Sequence, residues 1–453
     1  MKKFPVPHFK SDILPLVRLG LPLVGTAVAG FLVTMTDTLM LGWYNVTALA
    51  ASTLAGSLWF ILFILGAGFG FAVMPVVASA VAAGDETRAR RVTRMALWLS
   101  AGFFLLVFPL LWFSRPVLDH IGQQPVVAQG VEAYLRIAGF GMLPALIVAV
   151  LRSYLSAQHL TGVLLWVTLG SVVLNAAMNW LLIFGNWGFP ELGIRGAAIA
   201  SVGVHVMSVV TLGFYAHWRS PEVRLYQRLW KPDTEALATV FRLGLPIGLT
   251  AVAEVGLFSV SATMMGWIGE IELAAHGVAL QLAALTFMVH VGLSQAATIR
   301  AGGAYGRKDE EGLRRTATAA IFCSLSFAVL VVAIFVTMPV TLVSVFVDPA
   351  EPRAAEVIAI GVTLVMMAAL FQLVDATQVV AVALLRGVQD TTVPMWLATF
   401  SYWVVALPAG YWLAFHANWG VIGVWSGLVI GLSVAALTLM ARFWGRSVKI
   451  GAV

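Results

Sequence analysis

Three acidic side chains lie well inside long apolar stretches of the sequence. They are Asp37, Glu254 and Asp375, out of 21 Asp and Glu residues in a chain of 453. An ionised carboxylate near the centre of a bilayer costs about 2.5–3.5 kcal/mol on insertion scales. Burial favours the protonated acid, whereas a bound cation favours the carboxylate. An acid at such a position can therefore exchange a proton for a cation, which is the chemistry of ion coupling.

Polar side chains at helical spacing accompany these acids and predict shared helix faces. The companions are Thr34 for Asp37, Thr250 and Ser261 for Glu254, Gln372 and Gln378 for Asp375, and the separate pair Asn175 and Asn179. Such polar stripes are expected to face the protein interior rather than lipid. The alternative for each acid is a permanently protonated carboxyl that hydrogen bonds between helices. Two further polar side chains, His276 and His290, are expected to be structural.

The composition predicts that helices crossing a membrane position these residues. The chain is 60% hydrophobic and 11% charged, whereas soluble domains carry about 25% charged residues. This excludes a soluble enzyme and a disordered protein, and the single Cys323 excludes an internal disulfide. The apolar stretches have room for twelve helices of about 20 residues, with turns near residues 43–45 and 416–420. They lack the strand alternation of a barrel, so the predicted fold is an all-α integral membrane protein.

The basic residues predict the orientation of the twelve helices. When alternate loops are assigned to opposite sides, 23 of the 27 Lys and Arg residues fall on the side of both termini. The positive-inside rule then places both termini in the cytoplasm. The net charge of +6 therefore calls for no nucleic-acid partner. The first apolar stretch is expected to be retained rather than cleaved as a signal, because its Ala-Val-Ala triplet recurs at residues 251–253.

An internal repeat divides the predicted helices into two sets of six. Shifting the chain by 224 residues aligns residues 18–91 with 242–315 without a gap, at 25 identities in 74 positions. Six is an even number, so the copies have the same orientation, as in transporters built from parallel repeats. The predicted domains are an N-terminal lobe (1–218), a cytoplasmic linker (219–241) and a C-terminal lobe (242–453). The charges of loops 84–91 and 308–315 are expected to be solvated topology signals.

An ordered set of motifs resembles the multidrug and toxic compound extrusion (MATE) family, in its bacterial NorM-type branch. The motifs are Arg-Leu-Gly-Leu-Pro at 18–22 with Asp37, Leu-Asn at 174–175 with Asn179, Ile-Phe-Gly at 183–185, Gly-Leu-Pro at 244–246 with Glu254, Phe-Gln at 371–372, Asp-Ala-Thr-Gln at 375–378, Leu-Arg-Gly at 385–387 and Asp-Thr at 390–391. The resemblance covers essentially the whole chain. No single motif is decisive, but their order is specific.

The resemblance implies a function and a set of site residues. It implies two six-helix lobes around a central cavity, and export of organic cations by antiport with Na⁺ or H⁺ in the bacterial inner membrane. It assigns the cation-coupling site, with Na⁺ as the metal if sodium is the coupling ion, to Glu254 and Asp375. It assigns an N-lobe polar site for substrate or proton to Asp37, Asn175 and Asn179. No cofactor is expected beyond the coupling ion, and the transporter is expected to act as a monomer.

Three other functions stay open at this stage. A lipid-linked saccharide flippase has related architecture, but its anionic substrate calls for basic residues inside the spans, where the sequence offers acids. A membrane-embedded hydrolase needs a nucleophile with its base or a metal cluster, and His276, His290 and Glu254 lack zinc-type spacing. A structural subunit would not transport alone. The sequence shows no nucleotide-binding glycine loop, so ATP is not expected to supply the energy. The glycines at 66–70 and 302–303 are expected to serve close helix packing instead.

Overall fold

The computed structural model describes residues 7–120, 122–219, 221, 224–348 and 352–450. Twelve of the helices in this part of the chain are long and apolar enough to cross a membrane. They are α1 (Leu14–Tyr44), α2 (Val46–Ala82), α3 (Glu86–Trp112), α4 (Pro125–Ala157), α5 (Thr161–Leu182), α6 (Ile194–Arg219), α7 (Thr234–Ile268), α8 (Glu270–Gly306), α9 (Glu310–Thr337), α10 (Ala354–Gly387), α11 (Thr392–His416) and α12 (Gly420–Arg442). The prediction of an all-α protein with twelve spans is confirmed.

Several helices extend past the apolar stretches that predicted them. Helix α3 begins at Glu86, although its uncharged stretch begins at Met95. Helix α7 begins at Thr234, so residues 234–241, which the sequence analysis placed in the linker, are helical. Hydropathy detects only the part of a helix that suits lipid, whereas charged residues such as Arg and Glu continue a helix into water without difficulty.

Polar side chains cap the helices at the predicted turns. The Asn45 side chain accepts hydrogen bonds from the backbone nitrogens of Thr47 and Ala48, at 2.7 and 3.3 Å, and is the single residue between α1 and α2. Asp85 caps α3 and Asp309 caps α9, each by accepting a backbone N–H three residues later, at 2.9 and 2.8 Å. These two residues are 224 apart. The repeat therefore includes the signals that begin its helices.

The chain forms two compact units whose helices pack in the same pattern. In one unit, α2 packs on α3 and α4, α4 also packs on α3 and α6, and α5 packs on α6. In the other unit, α8 packs on α9 and α10, α10 also packs on α9 and α12, and α11 packs on α12. Every pair in the second unit is the first pair advanced by six helices. The duplication seen in the sequence is therefore a duplication of packing.

Helices α1 and α7 each change units near the middle. One unit spans Gly25–Gly248; the other contains the described residues up to Val24 and those from Leu249 onward. Glycines allow the close helix contacts that hold the first halves of α1 and α7 in their units. A Cβ added to Gly68 of α2 would lie 2.6 Å from the backbone nitrogen of Gly248, and one added to Gly292 of α8 would lie 2.5 Å from the Val24 Cα. The compact units and the predicted lobes therefore differ in where they assign the first halves of α1 and α7. The lobes remain a prediction.

Candidate functional site

Asp37 lies at the centre of a hydrogen-bonded cluster built from α1, α5 and α6. Its Oδ1 accepts hydrogen bonds from the Nδ2 atoms of Asn175 and Asn179, at 2.9 and 2.6 Å. Its Oδ2 accepts a hydrogen bond from the Ser201 hydroxyl at 3.1 Å. Asn175 and Asn179 are both fully buried and are also joined to each other, at 3.2 Å. The structure therefore brings together the three residues of the predicted N-lobe site.

Two members of this cluster were not found from the sequence. Ser201 of α6 donates to Asp37, and its hydroxyl also contacts the phenol of Tyr134 on α4, which in turn interacts electrostatically with Asp37. Ser201 lies in a run of small residues, and Tyr134 lies two residues after a glutamate near the start of its helix. Neither position carries a spacing signal that points to α1. Only the packing of α4 on α6 brings the two side chains together.

The predicted companion of Asp37 on its own helix does not join the cluster by a hydrogen bond. Thr34 is exposed, and its backbone carbonyl accepts a hydrogen bond from the Thr38 hydroxyl at 3.0 Å. This is the usual bond of a threonine to the preceding turn of its helix. A supporting role for Thr34 remains a prediction.

A second group of acids lies in the other compact unit, on α7 and α10. Asp375 is 2% exposed, and its Oδ2 atom has no hydrogen-bond partner among the described residues. The Glu254 carboxylate interacts electrostatically with both Asp375 and the buried phenol of Tyr402. Two nearby carboxylates repel each other in a medium of low dielectric constant when both are ionised. A bound cation or a proton relieves that repulsion.

The glutamines three residues before and after Asp375 also have buried side-chain oxygen atoms. The Gln378 amide nitrogen donates to the Tyr402 hydroxyl at 2.6 Å, and the Gln372 amide nitrogen donates to the Thr286 hydroxyl. The buried Oε1 atom of Gln378 has no partner among the described residues, whereas the Gln372 side chain also hydrogen bonds to the His290 ring. Asp375 and Gln378, three residues apart on one helix face, thus carry oxygen acceptors without donors. Carboxylate and carboxamide oxygens are the ligands that hard cations prefer.

The polar companions of Glu254 on α7 are buried, but one of them is satisfied locally. Ser261 is 1% exposed, and its hydroxyl donates to the Leu257 carbonyl at 2.8 Å within the same helix. Thr250 is also buried, one turn before Glu254. Their supporting roles at the cation site stay predictions.

No Lys or Arg was expected deep inside a span, and the described basic residue that interacts with these acids lies at the end of a helix. Arg386 lies in the last turn of α10 and interacts electrostatically with Glu254. The apolar stretch that predicted this helix ended at Leu385, so Arg386 was placed outside it. Within the described residues, no Lys or Arg forms a direct ion pair with Asp37, Glu254 or Asp375. The acids are therefore not bound to a fixed cation.

The two buried histidines of α8 form hydrogen bonds typical of structural residues. The Nδ1 atom of His276 accepts a hydrogen bond from the Trp425 indole at 3.0 Å, and Nδ1 of His290 pairs with the Ser324 hydroxyl at 2.8 Å. No group of three His, Cys, Asp or Glu side chains that could hold a metal ion occurs in the described part of the chain. The geometry gives no support to a hydrolytic metal centre.

Comparison with known proteins gives consistent matches over the whole chain. The sequence model of the MatE family matches residues 22–181 and 246–412, two segments that begin 224 residues apart, as the repeat does. Curated relatives include the probable multidrug resistance protein NorM of Rhizobium meliloti, which is 44% identical over 96% of this chain and 93% of its own length. The corresponding NorM protein of Agrobacterium fabrum is 42% identical over 96% of this chain and 93% of its own length.

Solved structures share the fold at lower sequence identity. One is described as the outward-facing conformation of a multidrug resistance MATE family transporter. It superposes with a TM-score of 0.86 at 21% identity and covers 97% of this chain and 96% of its own. Another, described as MATE in the straight conformation, gives a TM-score of 0.87 at 20% identity, with 97% of each chain covered.

Proposed function

The chain belongs to the MatE family, and from this premise we propose that it exports lipophilic organic cations by antiport against Na⁺ or H⁺. The family and the NorM relatives make it a multidrug efflux transporter and not an enzyme. The choice of cationic substrates and of an ion gradient as the energy source is our proposal. It rests on three carboxylates inside the membrane-spanning helices, none of which forms a direct ion pair with a described Lys or Arg.

The coupling ion is proposed to bind at Glu254 and Asp375. The observation that carries this assignment is the unpartnered Oδ2 of a 2% exposed Asp375, beside the unpartnered amide oxygen of Gln378. A buried acceptor without a donor is costly unless something occupies it. Na⁺ would be held by these oxygens, and H⁺ would be held as a protonated carboxyl. Both ions suit the residues, so the choice between them is left to experiment.

Asp37 is proposed to act at a separate polar site, for the substrate cation or for a proton. Its carboxylate accepts three hydrogen bonds, from Asn175, Asn179 and Ser201, and hydrogen bonds to an ionised group are the stronger kind. These donors orient the carboxylate without neutralising it. A cationic substrate or a proton supplies the missing charge.

Transport is proposed to follow alternating access, with the ion and the substrate bound in turn. Binding of the ion at Glu254 and Asp375 weakens the hold on the substrate, which leaves outward. If both bind the same acids, the coupling is direct competition. If they bind different acids, the coupling is allosteric, and then each ligand must weaken the binding of the other by the same factor.

The proposal also covers the membrane location, orientation, oligomeric state and partners of the protein. The twelve apolar helices make it a multi-pass membrane protein. We propose, from the charge asymmetry, that both termini lie on the cytoplasmic side of a bacterial inner membrane. We propose that it acts as a monomer, without ATP, without nucleic acid and without a cofactor other than its coupling ion.

Efflux from sealed proteoliposomes tests this function and identifies the ion. The protein is reconstituted with a fluorescent organic cation, and a Na⁺ gradient and a pH gradient are imposed in separate experiments. We expect one gradient to drive export and its collapse by a matching ionophore to stop it. Export that needs neither gradient would contradict the antiport. Movement of an anionic lipid-linked saccharide, with no movement of the cation, would favour the rival flippase.

A further inference from the structure

A polar cavity of about 360 Å³ lies in the compact unit Gly25–Gly248, between the first turns of α3 and the segment that precedes α7. Five basic residues and one acid line it, namely Arg90, Arg91, Arg94, Arg228, Lys231 and Asp233. The lining therefore carries a formal charge of about +4. The charges of residues 84–91 were expected to be solvated topology signals. In the structure, Arg90 and Arg91 instead line a partly open pocket together with three further basic residues.

The segment before α7 is held firmly on α3, so the cavity is part of the fold. The Trp98 indole donates a hydrogen bond to the Leu229 carbonyl at 2.7 Å. Arg91 donates to both oxygens of Asp233 and to a carboxylate oxygen of Glu235. These contacts fix the position of the segment before α7 relative to α3. Asp233 and Glu235 thus pair with the same arginine.

Among the other basic residues of the lining, Arg94 is the most deeply buried. Arg94 is only 6% exposed; its Nη1 donates a weak hydrogen bond of 3.3 Å to the Gln227 carbonyl, and its Nε has no partner. Arg228 and Lys231 form no ion pair with any described residue. A guanidinium that is nine-tenths buried beside further positive charge is costly, and a bound anion would remove that cost.

The second copy of the repeat shows that this arrangement is not a general property of the loop. In the other unit the equivalent arginines, Arg314 and Arg315, pair with Glu310 and Glu311 one turn earlier, at 2.9 and 3.9 Å. The first copy has Thr87 at the position of Glu311 and Arg94 at the position of Thr318. Both changes make the first loop more positive, and both residues line the cavity.

We propose that this cavity binds the phosphate group of an anionic ligand. Arginine and lysine side chains around a small space recognise phosphate oxygens by charge-assisted hydrogen bonds. Trp230, 77% exposed, stands directly before Lys231, and exposed tryptophans beside basic residues mark the level of lipid headgroups. An anionic phospholipid of the cytoplasmic leaflet and free phosphate share the required chemistry, and basic pockets on that side of membrane proteins suit such headgroups.

Direct binding measurements on the purified full-length protein test the proposal. Short-chain phosphatidylglycerol and inorganic phosphate are titrated separately by calorimetry in a detergent of zero net charge. The test variant is Arg228→Gln with Lys231→Gln, two exposed residues outside the helices. The control variant is Arg307→Gln with Lys308→Gln, which removes the same charge from the loop between α8 and α9 in the other unit.

We expect the lipid to bind the unaltered protein, and the test variant to bind it about 25-fold more weakly, at about fivefold for each charge removed. The control variant should stay within about twofold of the unaltered protein, because its charges lie elsewhere. If inorganic phosphate binds and displaces the lipid, the site takes free phosphate as well; if it does not, the lipid is the ligand. Equal weakening in both variants, or no binding of either probe, would overturn the proposal.

Discussion

Replacement of Asp37 separates the contribution of its hydrogen bonds from the contribution of its charge. In Asp37→Ala, the three donors on Asn175, Asn179 and Ser201 lose their acceptor. Side-chain hydrogen bonds within membrane proteins average about 0.6 kcal/mol each, so three give about 2 kcal/mol. A stranded buried donor raises this figure by about 1–3 kcal/mol. Only the Asn175 amide is fully stranded, since Asn179 still donates to the Asn175 oxygen at 3.2 Å.

Asp37→Asn keeps the shape and most of the hydrogen bonds of this cluster. Its Oδ1 can still accept from both asparagines, and its new Nδ2 can donate to the Ser201 hydroxyl, which becomes the acceptor. We expect this variant to be destabilised by less than about 1 kcal/mol, and Asp37→Ala by about 3 kcal/mol. For a unit of this size, about 3 kcal/mol lowers the melting temperature by roughly 6–12 °C.

Thermal unfolding and vesicle efflux, measured on the same preparations, test this separation. Asp37→Asn should melt close to the unaltered protein but fail to export the organic cation, because a neutral amide can hold neither the cation nor a transferable proton. Asp37→Ala should lose both stability and export. Full export by Asp37→Asn would refute the role of the charge. An unchanged melting temperature in Asp37→Ala would refute the hydrogen-bond account.

Two further changes test the packing and the electrostatics of the compact unit Gly25–Gly248. Gly68→Leu should lower the stability of this unit by about 1–3 kcal/mol, because even a Cβ would lie 2.6 Å from the Gly248 nitrogen. The control Gly102→Leu should be tolerated, because a Cβ there meets nothing within 4 Å. Equal melting temperatures of the two variants would contradict the contact at Gly68. Arg91 lowers the pKa of Asp233 from 3.8 to about 2, so the carboxylate stabilises the fold above pH 3.8 and loses that effect as the pH falls through 2. Asp233→Asn should therefore cost at most about 1 kcal/mol at pH 7, since the Arg91 side chain is 37% exposed. The difference should shrink in melting curves recorded towards pH 2, and a constant difference would argue against the ion pair.

Much of the fold could be predicted because hydropathy and turn residues act locally. The uncharged stretches located twelve helices, and Asn45 marked the first turn because its side chain caps the helix that follows. The exchange of half-helices between units could not be predicted. It depends on close contacts such as Gly68 against Gly248, between residues far apart in sequence, and a glycine alone does not specify its partner.

The acidic residues of the site could be predicted from the sequence, but only some of the other residues around them could. A carboxylate inside an apolar stretch is conspicuous, and the pair Asn175 and Asn179 lies on one helix face. Ser201 and Tyr402 gave no such signal, because serine and tyrosine are common in membrane helices and their roles depend on tertiary packing. Arg386 lies just beyond the apolar stretch, in the last turn of α10, so hydropathy gave no indication of its interaction with Glu254.

The central claim is that Glu254 and Asp375 bind the coupling ion. Two unit charges 4 Å apart, at an effective dielectric constant of 20, attract by about 4 kcal/mol, so the loss of one carboxylate should weaken ion binding about 1000-fold. The measurement is gradient-driven efflux of a fluorescent organic cation from proteoliposomes containing Glu254→Gln, Asp375→Asn or the control Ser259→Ala. We expect both acid variants to lose the response to the gradient, and Ser259→Ala, whose exposed hydroxyl bonds to its own helix, to keep it. Undiminished gradient-driven efflux in both acid variants would contradict the account.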